Sequence, residues 1–143
     1  MEFNFATLWE RTADLIPNKT AIICGDEEKT WGEYENVSAK LATALIDAGL
    51  TTYSKAGLYL HNSNEYLEAQ FSIFKIGGTP INVNYRYKSE ELLYLLDNSD
   101  CEALFYQACY GDQINKIKDL LPKIKAWIEV ADGSDSVVEN CMH

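Results

Sequence analysis

The sequence predicts an α/β fold: layered, with a mostly parallel sheet flanked by helices on both faces. Three observations carry that prediction. Residues 56–60, 103–106 and 126–130 are short runs dominated by apolar residues without strict alternation, the pattern of strands covered on both faces. Stretches of helical periodicity separate them, which implies parallel strands joined by right-handed crossovers. A Gly77-Gly78 pair stops a strongly apolar helix directly before a short run containing β-branched residues.

Taken in order, Phe5, Leu8, Trp9, Thr12 and Ile16 recur at three- and four-residue spacing, so the chain opens on an amphipathic helix that Pro17 stops. Residues 20–24, a Gly25-Asp26 turn and a brief return over 28–30 form a small hairpin. Thr30 with Glu33 fits a capping box, and Tyr34, Val37, Leu41, Leu45 and Ala48 make one apolar stripe up to Gly49. After the strand at 56–60, Asn62 and Ser63 offer a cap for the helix from Ser63 to Ile76. Tyr66, Leu67, Ala69, Phe71, Ile73, Phe74 and Ile76 make that helix apolar on most of its circumference, so it is expected to be buried on several sides.

Residues 79–83 are short and carry Pro80 near their start, which fits an entering strand and argues against a strand centre. Ser89 is expected to cap the next helix, with Glu90 and Glu91 in the first turn, where negative charge complements the helix end. The intervening loop, Asn84-Tyr85-Arg86-Tyr87-Lys88, is polar, aromatic and cationic, and lies where open α/β sheets place ligands. A helix over about 112–121 precedes the strand at 126–130, residues 133–136 form a surface loop, and residues 137–143 complete no element. The chain is therefore expected to be cut rather than finished.

At 143 residues the chain has the size of one domain, and 47% hydrophobic with 24% charged residues is ordinary globular composition. The net charge of -10 disfavours nucleic acid and anionic membrane surfaces as partners. No apolar run has the length of a membrane span. Cys24, Cys101, Cys109 and Cys141 show no Cys-x-x-Cys spacing and no matching histidine pair, so neither a zinc site nor a redox motif is read. Cys24 and Cys101 lie in apolar runs and are expected to be small buried hydrophobes. The opening residues carry acidic groups where a signal peptide has a basic region, so the expected setting is reducing and cytoplasmic.

His61 follows a strand and precedes a capped helix, a position where chemistry can sit, but no Ser, Cys or Asp partner stands at motif spacing. A surface or capping role is expected. Glu65 and Glu68 stand three apart, and with no third ligand in register a solvated helix edge is the better account than a metal site. The nine tyrosines are read as packing groups with polar tips rather than a base-stacking platform.

The ordered series ICGDEEKTWGEYENVSAKLATALIDAGL, then AGLYLHNSNEYLEAQFSIFKIGGTPINVNYRYKSEELLYLLDNSD, resembles the N-terminal portion of AMP-forming acyl-CoA synthetases. The wording at residues 82–86 resembles the fatty-acyl members most closely. The resemblance implies that residues 1–143 are part of the large N-terminal, AMP-binding domain of an adenylate-forming enzyme, with the catalytic remainder absent. It implies a full-length enzyme that joins a carboxylic acid, of the fatty-acid class, to CoA through an acyl-adenylate, using ATP and Mg2+. It places no catalytic and no metal-binding residue in this stretch, since no Ser/Thr/Gly-rich phosphate loop occurs here. The chain alone is expected to be inactive.

One contact carries over by resemblance: Arg86 is placed to approach the phosphates of CoA, as a guanidinium fork suits phosphate oxygens. The plainer alternative pairs Arg86 with Glu90 or Glu91 at the surface. For the chain as a whole, the alternative is a free-standing, non-catalytic α/β module that binds a ligand or partner. A truncated domain is further expected to expose apolar faces around the 63–76 helix and to self-associate through them.

Overall fold

The computed structural model describes residues 4–143, and the reading of the opening residues 1–3 lies outside them. Helix α1 (Phe5–Leu15) is capped by the Asn4 side chain, which accepts the Thr7 N–H at 2.9 Å. Strands β1 (Thr20–Cys24) and β2 (Glu27–Thr30) form the expected hairpin, an antiparallel pair separate from the main sheet. Helix α2 (Trp31–Asp47) opens on the capping box: Glu33 N–H donates to Thr30 Oγ1 at 3.3 Å, and Thr30 N–H donates to Glu33 Oε2 at 2.8 Å. Accepting the Thr30 hydrogen bonds holds the Glu33 carboxyl below its ordinary range. Thr30→Ala removes one half of this box and is expected to cost about 1 kcal/mol in a urea titration.

The main sheet contains β3 (Lys55–Tyr59), β4 (Thr79–Asn82), β5 (Ala103–Gln107) and β6 (Ala126–Val130), all parallel, in the order β4-β3-β5-β6. Its register stacks Ala56, Ala103 and Ala126 in one row, and Leu58, Phe105 and Ile128 in another on the same face. These rows belong to the core under α2 and α3 (Asn64–Lys75), while Leu104, Tyr106 and Trp127 on the opposite face pack with α4 (Ser89–Asn98) and α5 (Gly111–Ile117). The period-two alternation thus feeds two cores at once, which is why the strand sequences show so little polarity. Pro80 sits in the edge strand β4, where its missing N–H breaks no ladder.

Helix α3 is held between α2, α1 and the sheet, with Ala69, Phe71 and Ile73 buried. Its end follows the expected glycine logic: Gly77 has φ 71°, and Gly78 N–H donates to the Ile73 carbonyl at 2.9 Å. A side chain at Gly78 would place its Cβ 2.9 Å from the Ser54 carbonyl oxygen, so the chain can pass from α3 into β4 here only as glycine.

Several expectations are corrected. Apolar exposure is not centred on the 63–76 helix, because α1 and the hairpin cover its outer side; among the described residues the exposed large apolar groups include Phe5, Leu8 and Leu15 on α1, Ile23 on β1 and Tyr94 on α4. Ser89 is the first residue of α4 rather than its cap: Lys88 holds the cap position, its N–H donating to Glu91 Oε2 at 2.9 Å, and Ser89 Oγ donates instead to Gln113 Oε1 at 2.5 Å. The helix expected over 112–121 is shorter, α5 tightening into a 3-10 turn at Lys118–Leu120 ahead of Pro122. Cys24 ends β1 beside the turn and is only partly buried, whereas Cys101 is buried. Glu68, expected on a solvated edge, is 4% exposed and paired with Lys29. Residues 137–143 are not structureless: Val138 is buried and Met142 bridges to Ile128 in parallel register.

Candidate functional site

The strand order reverses between β3 and β5, since the chain leaves β3 for one edge through α3 and returns on the other side of β3 through α4. The connections after β3 and β5 therefore diverge and leave a crevice at their carboxyl ends, the topological switch point of an open α/β sheet. His61 lies there. Its N–H donates to Gln107 Oε1 at 2.9 Å, its Nε2 shares a hydrogen bond with the Tyr110 hydroxyl at 2.5 Å, and the Tyr85 ring meets it edge-on at 4.8 Å. Burial, with Cys109, Tyr85 and Asp132 nearby, pushes the Tyr110 phenol above its ordinary range, so it stays protonated beside the imidazole.

The partner that sequence spacing did not give His61 is thus a tyrosine 49 positions away in sequence, brought in by the β5 crossover. A polar residue two or three positions past each of two adjacent buried strands was the available signal, and only knowledge of the strand order makes it usable.

The loop at residues 84–88 borders the same crevice. Tyr59, whose phenol burial pushes up to about 12, donates to the Tyr87 carbonyl at 2.7 Å and so ties the loop to the end of β3. Asn84 Oδ1 accepts the Arg86 N–H at 3.0 Å, turning the chain. The Arg86 guanidinium lies 5.1 Å from the centre of the Tyr85 ring and is exposed. Pairing with Glu90 or Glu91 does not occur: among the described residues no carboxylate lies within 4.0 Å of Arg86, and Glu91 is turned back onto the Lys88 N–H. A polar cleft of about 540 Å³, lined by Asn62, Tyr66, Asn82, Asn84, Tyr85 and Tyr87 among others, opens beside this loop. Its lining is rich in amide and phenol groups and carries no charge, so it can hydrogen-bond a ligand, and Arg86 stands in sequence between the lining residues Tyr85 and Tyr87.

The exit of β6 is pinned to the start of the β5 crossover by Asp132, which accepts the Cys109 and Ser134 N–H groups, each at 3.0 Å. Partial desolvation opposes ionisation, but these hydrogen bonds win and hold the Asp132 carboxyl at about 2. A depressed pKa contributes stability above the unfolded value of about 3.9, and that contribution is lost as pH falls through the folded value. A carboxyl-carbon NMR titration is expected to give Asp132 a midpoint of about 2; a midpoint at the ordinary 3.8 would rule out the two hydrogen bonds in solution.

Of the residues weighed in the sequence, His61, Tyr85 and Arg86 come together, while Glu65 and Glu68 do not form a ligand pair, since Glu68 turns inward to Lys29. One further cluster, Glu129 with Cys141 and His143, was invisible to spacing because its members come from a strand and a returning tail. Among the described residues no helix is long and apolar enough to cross a membrane.

Comparison with known proteins adds to this geometry. Residues 9–142 match the family described as AMP-binding enzyme. The medium/long-chain-fatty-acid-CoA/3-oxocholest-4-en-26-oate-CoA ligase of Mycobacterium marinum is 42% identical over 132 residues, covering 92% of this chain and 24% of that protein. The 3-oxocholest-4-en-26-oate-CoA ligase of Rhodococcus rhodochrous is 37% identical over 135 residues, covering 94% and 24% respectively. The crystal structure of the anthranilate CoA ligase AuaEII in complex with anthranoyl-AMP shares the fold, with a TM-score of 0.88 and 24% identity over 99% of this chain and 27% of that one. The chain spans about a quarter of the length of the curated relatives it matches. With its switch-point crevice, its parallel β4-β3-β5-β6 sheet and a family match over nearly its whole length, this chain belongs to the AMP-binding enzyme family.

Proposed function

We propose that these residues are the N-terminal portion of an AMP-forming acid-thiol ligase of the fatty-acyl-CoA synthetase type, which converts a carboxylic acid, ATP and CoA to acyl-CoA, AMP and pyrophosphate. The names of the relatives support a fatty acid as the substrate class. Four unpaired cysteines suit a reducing, cytoplasmic setting. The observation that carries the reading onto particular residues is the Arg86 loop: a guanidinium without a carboxylate partner among the described residues, at the carboxyl edge of the sheet and beside the start of α4. In this proposal Arg86 binds a phosphate of CoA at the rim of the cleft.

The other groups the reaction needs do not fit the described residues. No glycine-rich phosphate cradle is present for ATP. The one metal-capable cluster among the described residues joins a single carboxylate to thiol and imidazole donors rather than offering the oxygen set that Mg2+ requires. The residues here would therefore form scaffold and the CoA rim, and the chain of 143 residues is expected to release no pyrophosphate when given ATP and a fatty acid.

Replacing Arg86 by alanine in the full-length enzyme tests the assignment. An exposed charge-assisted hydrogen bond sits near the lower end of its range, so the Michaelis constant for CoA is expected to rise about tenfold. That for ATP stays unchanged. An unaltered CoA dependence would remove Arg86 from the site.

A further inference from the structure

We propose that Glu129, Cys141 and His143 form a three-ligand site for a zinc-class divalent cation, which clips residues 137–143 onto the edge of the sheet. This is independent of the ligase reading. Met142 pairs in parallel with Ile128: its N–H donates to the Trp127 carbonyl, and Glu129 N–H donates to the Met142 carbonyl, both at 2.8 Å. The segment thus behaves as one more strand turn along β6, and side chains alternate across it. Met142 joins the core with Ile128, while Cys141 falls on the opposite face with Trp127. His143 follows Cys141 by two residues and lands on the same side.

The ligand atoms of Glu129, Cys141 and His143 all lie within 4.8 Å of one another. Glu129 Oε1 stands 3.6 Å from His143 Nδ1, and Cys141 Sγ stands 3.8 Å from His143 Nε2. Tetrahedral zinc with bonds of about 2.0–2.3 Å spaces its ligand atoms roughly 3.3–3.8 Å apart. A small turn of the exposed imidazole brings one nitrogen, the thiol and the carboxylate around one point.

The second observation is the carboxylate itself. The Glu129 side chain is 3% exposed, and Oε2 accepts the Tyr106 hydroxyl at 3.2 Å, while Oε1 has His143 Nδ1 within ion-pair range but beyond hydrogen-bond length. No lysine or arginine among the described residues pairs with it. A carboxylate this deeply buried calls for a cation. Sulfur, nitrogen and oxygen donors together select a borderline metal such as Zn2+ over Mg2+ or Ca2+. Tyr106 would orient the carboxylate from behind, as hydrogen-bonding groups behind metal ligands do. Three protein ligands leave the fourth position to water. On binding, the Cys141 S–H bond, which now donates to the Val138 carbonyl at 3.2 Å, is replaced by a sulfur-metal bond and the proton passes to solvent.

The test is a titration of the reduced, metal-stripped chain with Co2+, followed by the thiolate-to-cobalt charge-transfer absorption. One equivalent is expected to saturate the band, and Zn2+ to displace it. Cys141→Ser abolishes the band, His143→Gln weakens binding at least about tenfold, and Tyr106→Phe keeps the band but weakens binding about tenfold. Cys109→Ser, at an exposed thiol outside the cluster, changes nothing. Absence of the band, its persistence in Cys141→Ser or its loss in Cys109→Ser would each overturn the proposal. Because Tyr106 is buried, that variant counts only if circular dichroism shows it folded; Cys141 and His143 are solvent-accessible and decide the matter without it.

Discussion

Phe71→Ala is expected to lower the unfolding free energy by about 3–5 kcal/mol, most of what a domain of this size possesses. The reason is position as much as size. Phe71 is fully buried on α3, with Trp9 of α1 meeting its ring edge-on at 5.1 Å and Tyr34 of α2 at 5.0 Å. Lys75 Nζ stands 4.7 Å from the same ring, and the same ammonium bonds Glu10 on α1 at 2.7 Å and Glu35 on α2 at 2.5 Å. Removing the ring opens a cavity where three helices meet, in a core separate from the two that line the sheet. Urea unfolding with the slope checked for constancy gives the value. Tyr94→Ala, at an exposed position on α4, is the control and is expected to stay within about 0.5 kcal/mol. A loss below about 1 kcal/mol at Phe71 would mean that α1 and the hairpin are not docked on α2 and α3 in solution.

That junction shows where sequence reading stops. Strand positions, the Thr30 capping box, the Gly77-Gly78 stop and the place of Pro80 near the start of its strand are local matters, set by periodicity and backbone chemistry, and each stands where the sequence placed it. The misjudged positions depend on which elements touch. Glu68 has the spacing of an exposed helix edge, and only docking of the hairpin on that edge buries it. Ser89 has the chemistry of a cap, yet Glu91 satisfies the Lys88 N–H and Gln113 of α5 takes the serine hydroxyl. His61 lacked a partner because its partner follows another strand. In the site, the loop carrying Arg86 was legible as composition, whereas the absence of a carboxylate beside it follows from the direction of Glu91, which no spacing rule supplies.

The buried seam between hairpin and α3 gives the second large effect. Lys29→Met is expected to cost about 2 kcal/mol, and Glu68→Gln about 1 kcal/mol, although both delete the same ion pair. The asymmetry comes from access to water. The Lys29 side chain is 27% exposed and its stem can carry the ammonium to solvent when Glu68 is neutralised, whereas the Glu68 side chain is 6% exposed and cannot follow. Without the lysine, Glu68 is left as an uncompensated charge beside Tyr34, whose phenol is already pushed up by burial and by that carboxylate. Breaking a fully buried pair costs about 3–5 kcal/mol, and the lower figure here allows for solvent screening at the lysine. Adding Glu68→Gln to Lys29→Met removes the stranded charge, so the double variant is expected to be more stable than Lys29→Met alone, with a coupling of about 1.5 kcal/mol in the cycle. Equal costs for the two single variants would show that water reaches both ends of the pair. The neighbouring bond, Asn64 Nδ2 to Glu27 Oε2 at 2.9 Å, then remains as the polar tie between β2 and α3, and its loss in Asn64→Ala would separate hydrogen bonding from charge in the same seam.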